Sequence, residues 1–273
     1  MRIATLALVV IVASASGTAW GVGLSCPPDA VPVGNVCVDK YEASIWQVDP
    51  TTVAGKGLIR LIQGGRVTLA YLTSIGATQL SPSSSCTPGF PAGFPDNGQW
   101  TAVSGSSPPS PGVYAVSVAG VRPTACVTWF QAAEACRLSG KRLLTNLEWQ
   151  DAAAGTPDPG DSDNGSTTCA TEVGPANTGA RTSCKSRWGT FDMVGNVFEW
   201  VGDWVPSSTG CPGWGTFSDD GMCLSGASTT ATGPGALIRG GYFNNGTLAG
   251  VFAVRSLVDP SFANLNIGFR CAR

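Results

Sequence analysis

Two stretches of the chain carry a helical rhythm of apolar positions, and both open on the same kind of cap. Thr128 precedes WFQAAEACRLSGK with Gln131 three residues on; Trp129, Ala132, Ala133, Cys136 and Arg137 then recur at helical spacing, and Gly140 is placed to stop the run. Thr145 and Glu148 repeat the device ahead of WQDAAAG, which ends at Gly155. The spacing predicts two short helices bracketing the residues KRLL. Alternation appears earlier, in CPPDAVPVGNVCVDKYEAS. After a Gly34-Asn35 turn, Val36 and Val38 fall on one side and Cys37 and Asp39 on the other, which predicts a strand–turn–strand unit. From Trp46 to Val121 the rhythm fades. SPSSSCTPGFPAGFPDNG and SGSSPPSPG are dense in turn formers, and Leu58–Ile62 and Val67–Leu72 are the segments that predict short strands. Nothing there marks a domain boundary. Residues 22–273 therefore read as one domain with a loop-rich insertion at about 46–121.

The last stretch, IRGGYFNNGTLAGVFAVRSLVDPSFANLNIGFRCAR, mixes two kinds of position. Arg239-Gly240-Gly241, Ala249-Gly250-Val251-Phe252 and Ile267-Gly268-Phe269-Arg270-Cys271 look like scaffold, with paired glycines for close backbone packing and apolar runs for buried strands. The residues between them follow no burial pattern and read as a surface that binds rather than folds. Tyr242, Phe243, Asn244, Thr247, Leu248, Arg255, Leu257, Val258, Ser261, Phe262, Asn264 and Leu265 are the candidate ligand-binding residues, the aromatics because exposed Tyr and Phe serve as contact anchors.

Composition narrows the chemistry. The 273 residues carry a net charge of -2 and contain no histidine. The charge balance offers no basic field for nucleic acid, and the missing histidines remove the commonest general base and transition-metal ligand. Asp192 and Asp203 lack the setting of a paired-carboxylate site. Residues 1–21 read as a signal peptide: Arg2, a short apolar core from Leu6 to Ala13, then small residues. No segment reads as transmembrane, so an exported protein is expected, in the periplasm, at the cell surface or outside the cell. The ten cysteines all follow the signal, an even number that suits disulfides. Neighbouring positions suggest Cys26–Cys37, Cys169–Cys184 and Cys211–Cys223, leaving Cys86, Cys126, Cys136 and Cys271.

Taken in order, VCVDKYEAS, TWFQAAEACRLSGKRLLTNLEWQDAA, FDMVGNVFEWVGDW and IRGGYF…NIGFRCAR resemble the formylglycine-generating enzyme (sulfatase-modifying factor) family over the mature chain except the insertion and loops. The resemblance implies an α+β fold of the C-type-lectin type, disulfide-rich and with little regular secondary structure. It implies a Cys136–Cys271 bridge, which leaves Cys86 and Cys126 as a fifth pair. It also implies that VGNVFEW can hold a structural Ca²⁺ through Asn196 and Glu199 with a carbonyl from Val197. The family's oxidases bind copper through two cysteines after the Gly-Gly pair. The matching positions here are Asn245 and Gly250, neither of which supplies a soft thiolate for Cu(I), so no copper is expected. Relatives with non-haem iron need histidine ligands, which this chain lacks.

The layout RGG…NNG…AGVFA…P…NIGFRCAR is also similar to the variable region of proteins diversified by retroelements, in which adenine-directed mutagenesis rewrites chosen codons. Codons of the form AAC cannot reach Lys, Glu, Gln, Trp or Met, and none of these occurs between Tyr242 and Asn266. The resulting expectation is a catalytically degenerate, exported member of the family that binds a protein or glycan ligand through its C-terminal face. The alternatives are an enzyme with relocated chemistry and a structural module of a cell envelope or phage.

Overall fold

The first hairpin forms across Gly34-Asn35, where β1 (Ala30–Val33) and β2 (Val36–Asp39) pair antiparallel. All four residues of β2 are buried. Cys37 is bonded to Cys26, and the Asp39 carboxylate receives the buried Lys141 ammonium at 2.7 Å. The structure is a computed structural model that describes residues 24–92, 94, 96, 112–206 and 234–273. The expected signal peptide, the expected Cys211–Cys223 pair and part of the insertion lie outside the described residues.

The segment after β3 (Ser44–Val48) corrects the sequence reading. Leu58–Ile62 belongs to helix α1 (Val53–Gln63), and Leu69–Leu72 to helix α2 (Leu69–Ser74); neither is a strand. Thr52 caps α1 by accepting from the Gly55 amide, and Thr68 caps α2 by accepting from the Tyr71 amide. Leu58 and Ile62 sit four apart on one helical face, both buried, and the five-residue window was too short to reveal that period. These helices pack on a sheet in which β3 lies between β4 (Thr78–Leu80) and β5 (Gly112–Val116). Trp46, Leu58, Ile62, Leu72, Tyr114 and Val116 form a core of their own there.

Helix α3 (Trp129–Leu138) carries the complete capping box of Thr128 and Gln131. After β6 (Arg142–Leu143), α4 (Asn146–Ala153) carries the second, of Thr145 and Glu148. The chain then runs through β7 (Phe198–Pro206), β8 (Pro234–Arg239), a 3₁₀ turn (Gly246–Leu248), β9 (Val254–Val258), β10 (Ile267–Phe269) and β11 (Cys271–Ala272). Two four-stranded sheets result, ordered β1-β2-β11-β6 and β10-β7-β8-β9. The last two strands thus divide the C-terminus between the sheets. β10 pairs parallel to β7, and β11 lies between β2 and β6.

Among the described residues four disulfides tie these parts: Cys26–Cys37, Cys86–Cys126, Cys136–Cys271 and Cys169–Cys184. Cys136–Cys271 fastens α3 to the start of β11 across 135 residues of sequence. The core between them holds Phe198, Trp200, Ile238, Ile267 and Phe269. Fully burying such side chains contributes roughly 1.5–3 kcal/mol each. Among the described residues no helix is long and apolar enough to cross a membrane.

Candidate binding face

The C-terminal face is built from a turn, 240–253, and the strand that follows it. Gly241 needs a backbone that other residues resist: its φ is +84°, and a Cβ there would lie 2.5 Å from the Ala249 Cα. That contact lets the chain fold back on itself before β9. Asn245, at a position where the family's oxidases carry a thiol, accepts the Tyr242 amide on its side-chain oxygen at 3.1 Å. At Gly250, the other such position, a Cβ would meet the Asp158 carboxylate at 2.8 Å. The eight described cysteines are all in disulfides. The turn is anchored on the loop closed by Cys169–Cys184. The amides of Asn245 and Gly246 both donate to the Thr171 carbonyl, and the Thr247 amide donates to Asp161 at 2.9 Å.

The candidate residues divide by environment. Leu248, Leu257, Phe262 and Leu265 are exposed, and so are Asn244, Thr247, Arg255 and Ser261. Tyr242, Phe243, Val258 and Asn264 are half-buried. Tyr242 and Val258 pack against the core, and the Tyr242 ring lies 5.4 Å from Phe198 and 5.2 Å from Phe243. The Arg255 guanidinium sits 5.7 Å from the same Phe198 ring. Phe198 therefore draws Tyr242 and Arg255 onto one floor. The Asn264 carbonyl receives the Cys126 amide, which ties the 259–266 turn to the chain just before α3.

Two exposed large apolar side chains of this stretch lie outside the candidate set. Phe252 is 80% exposed and Val254 50% exposed. The apolar run AGVF made Phe252 look like scaffold, but it sits in a turn closed by the Ala253 amide donating to the Gly250 carbonyl. The glycine ahead of it was the one available signal. With these two included, six of the twelve large apolar side chains exposed among the described residues fall between Leu248 and Leu265.

Beneath the turn lies a buried charged layer. Glu199 accepts the Arg270 guanidinium at 2.8 Å and the Trp149 indole N–H at 2.7 Å. Arg270 also donates to the carbonyls of Asp39 and Phe191. Asn196, at a φ of +56°, accepts the Ala176 amide on its side-chain oxygen and donates from its carboxamide nitrogen to Glu42. Its carbonyl receives the Phe243 amide, so this layer directly holds the 240–253 turn. Burial, with Asp192 and Glu199 nearby, pushes the Glu42 carboxyl well above its usual range. Burial likewise raises Asp192 to about 7, against the opposing pull of the Gly179 amide and Arg270. One Asp192 oxygen has no hydrogen-bond partner.

This geometry tests the calcium set of Asn196, Val197 and Glu199. The side-chain oxygens that a hard cation would take are engaged by the Ala176 amide, the Arg270 guanidinium and the Trp149 indole. The Val197 amide donates to Glu42. A guanidinium already neutralises Glu199, and the residues as arranged do not fit a Ca²⁺ ion. Among the described residues no group of three or more Asp, Glu, His or Cys is placed to hold a metal.

Comparison with known proteins agrees with this architecture. Residues 34–273 match the model of the sulfatase-modifying factor enzyme 1-like domain. The chain belongs to this sulfatase-modifying factor family and has its α+β, C-type-lectin-like fold. It is 30% identical over 165 residues to the serine/threonine-protein kinase pkn1 of Chlamydia pneumoniae, a match covering 55% of this chain and 24% of that protein. The chain thus spans about a quarter of the length of that curated relative. Solved structures similar to it include the Major Tropism Determinant U1 variant, with a TM-score of 0.47 at 18% identity, covering 90% of this chain and 52% of the other. CarF is similar with a TM-score of 0.42 at 14% identity, covering 87% of this chain and 86% of the other.

Proposed function

We propose that this is an exported, catalytically degenerate member of the sulfatase-modifying factor family that binds a ligand through its C-terminal face, and that this face is diversified by a retroelement. The observation that carries the reading is the concentration of exposed apolar side chains between Leu248 and Leu265, on a turn and strand fixed from below by buried charge and disulfides. Monomeric proteins rarely gather exposed apolar groups in one region unless the region binds something. Asn245 and Gly250 at the positions of the oxidase cysteines support recognition over copper chemistry. Four disulfides support an oxidising compartment.

Two experiments test the two halves of this reading. Sequencing around the gene is expected to find a second copy of the segment encoding residues 240–270 near a reverse-transcriptase gene, the two differing at adenines of that second copy. Absence of such a copy ends the diversification half. For binding, the purified protein is screened on arrays of bacterial surface proteins and glycans beside a Tyr242→Ala, Phe243→Ala, Leu257→Ser variant. A hit that the triple variant retains at full strength ends the binding half.

A further inference from the structure

Unfavourable backbone is concentrated where the segment 81–86 lies against the chain ahead of α3. Six residues other than glycine have a positive φ among the described residues, and four of them lie here: Ser81 at +47°, Ser84 at +71°, Cys86 at +56° and Cys126 at +50°. L-residues resist this left-handed conformation, so the surroundings must hold them in it. At one end of the junction Ser81 is tied twice to Ala125. Its carbonyl accepts the Ala125 amide at 2.8 Å, and its hydroxyl donates to the Ala125 carbonyl at 2.7 Å. The Ser83 amide donates to the Pro123 carbonyl at 2.8 Å. Between Cys86 and Cys126 the tie is the disulfide itself.

Two further observations set this bond apart. Both of its cysteines are half-buried, whereas each of the other three described disulfides has at least one buried cysteine: Cys37 in one, Cys136 and Cys271 in the next, Cys169 and Cys184 in the last. A disulfide that is reachable and holds strained backbone is the one that exchanges most readily. The Cys126 amide also supports the C-terminal face. It donates to the Asn264 carbonyl at 2.8 Å, beside the local Ile267 amide, and the Trp129 amide donates to the Pro260 carbonyl at 2.9 Å. The turn held in this way, 259–266, presents Ser261, Phe262 and Leu265 to solvent.

We propose that Cys86–Cys126 is a thiol–disulfide exchange site whose state sets the order of the 259–266 turn. The co-reactant is a dithiol. One of its thiolates attacks a sulfur of the pair, the S–S bond breaks and a mixed disulfide forms; the second thiolate then resolves it. Two electrons and two protons have passed to Cys86 and Cys126, and the dithiol leaves as its own disulfide. Freed of the bond, Cys126 relaxes from its φ of +50°, and its N–H no longer stays aimed at the Asn264 carbonyl. The exchange and the release of the turn stand on this geometry alone. Only their effect on a ligand rests on the reading of the C-terminal face as a binding surface.

The test treats the oxidised protein, without denaturant, with rising concentrations of dithiothreitol, labels the freed thiols with iodoacetamide and maps them by mass spectrometry. Cys86 and Cys126 are expected to label together, ahead of Cys26, Cys37, Cys136, Cys169, Cys184 and Cys271. Any of those other pairs opening first would overturn the exchange site. In the partly reduced protein, hydrogen exchange at the Cys126 amide is expected to quicken by about tenfold or more while α4 keeps its protection. An unchanged Cys126 amide, or a rise that extends to α4, would overturn the coupling. Cys86→Ser with Cys126→Ser should reproduce the rise without any dithiol. Cys86→Ser with Cys126→Gly should not, because glycine keeps a positive φ without a crosslink. Equal exchange at position 126 in the two variants would overturn the backbone account. None of these readouts uses a ligand, so they fail or succeed independently of the binding reading.

Discussion

β9 and β10 are strands of one sheet, separated by the eight residues 259–266, and they meet opposite fates. All three residues of β10 are buried, whereas in β9 no residue is. The difference lies in what each strand faces. β10 runs parallel to β7, and at Gly268 a Cβ would lie 2.5 Å from the Thr124 carbonyl, so the chain before α3 packs closely over that backbone. It leads straight into Arg270 and Cys271, the ion pair and disulfide that fasten the chain end. β9 pairs with β8 through an irregular register and ends the ladder. Both are edge strands, so neither apolar character nor place in the sheet decided burial here; what packs over each strand did. One strand closes the fold and the other displays side chains.

If that division is right, damage to the two regions should differ sharply in cost. Arg270→Leu removes the cation from a layer holding Glu199, Glu42 and Asp192, and is expected to cost about 3–5 kcal/mol, read from denaturant unfolding. A stable Arg270→Leu protein would dissolve the distinction at its root. Removing the α3-to-β11 bridge with Cys136→Ser and Cys271→Ser together is expected to cost roughly 2–5 kcal/mol by the same measurement.

The acid side of the buried layer gives a pH signature that the exposed side cannot. The folded Asp192 carboxyl keeps its proton up to about pH 7, while the unfolded chain releases it near 4. The stabilisation is therefore complete below about pH 4 and is lost as pH rises through 7. Melting temperature should fall across that window, and Asp192→Asn should flatten part of the fall, since Asn also accepts the Gly179 amide and tolerates the φ of +61°. A rise in melting temperature over the same range would contradict the burial argument.

The smallest effects are expected at the display side. Leu257→Ser should change stability by no more than about 0.5 kcal/mol, because 80% of that side chain is already in water. A larger loss would return β9 to the core. Chelation with excess EDTA should leave the melting temperature unchanged, since Arg270 and Trp149 hold the Glu199 oxygens that calcium would need.

Much of this was legible along the chain wherever the determining residues are close in sequence. The helices α3 and α4 announce themselves because both halves of each capping box lie three residues apart. α1 and α2 did not, because Gly55 and Tyr71 stand where the reciprocal Glu or Gln would be. Cys26–Cys37 and Cys169–Cys184 close short loops and follow from spacing, while Cys136–Cys271 needed the family resemblance. The candidate face is read from its lack of pattern, a reading that places Phe252 in the scaffold although the structure leaves it 80% exposed.

By itself, then, the sequence determined the capped helices, the first hairpin and the family. Only the tertiary structure decided which apolar residues reach water and what Asn196 and Glu199 do. Those outcomes depend on partners far away along the chain: Glu42 meets Asn196 across 154 residues, and Arg270 meets the Asp39 carbonyl across 231. A local pattern records what a residue prefers, whereas burial and charge pairing depend on what the rest of the fold brings against it.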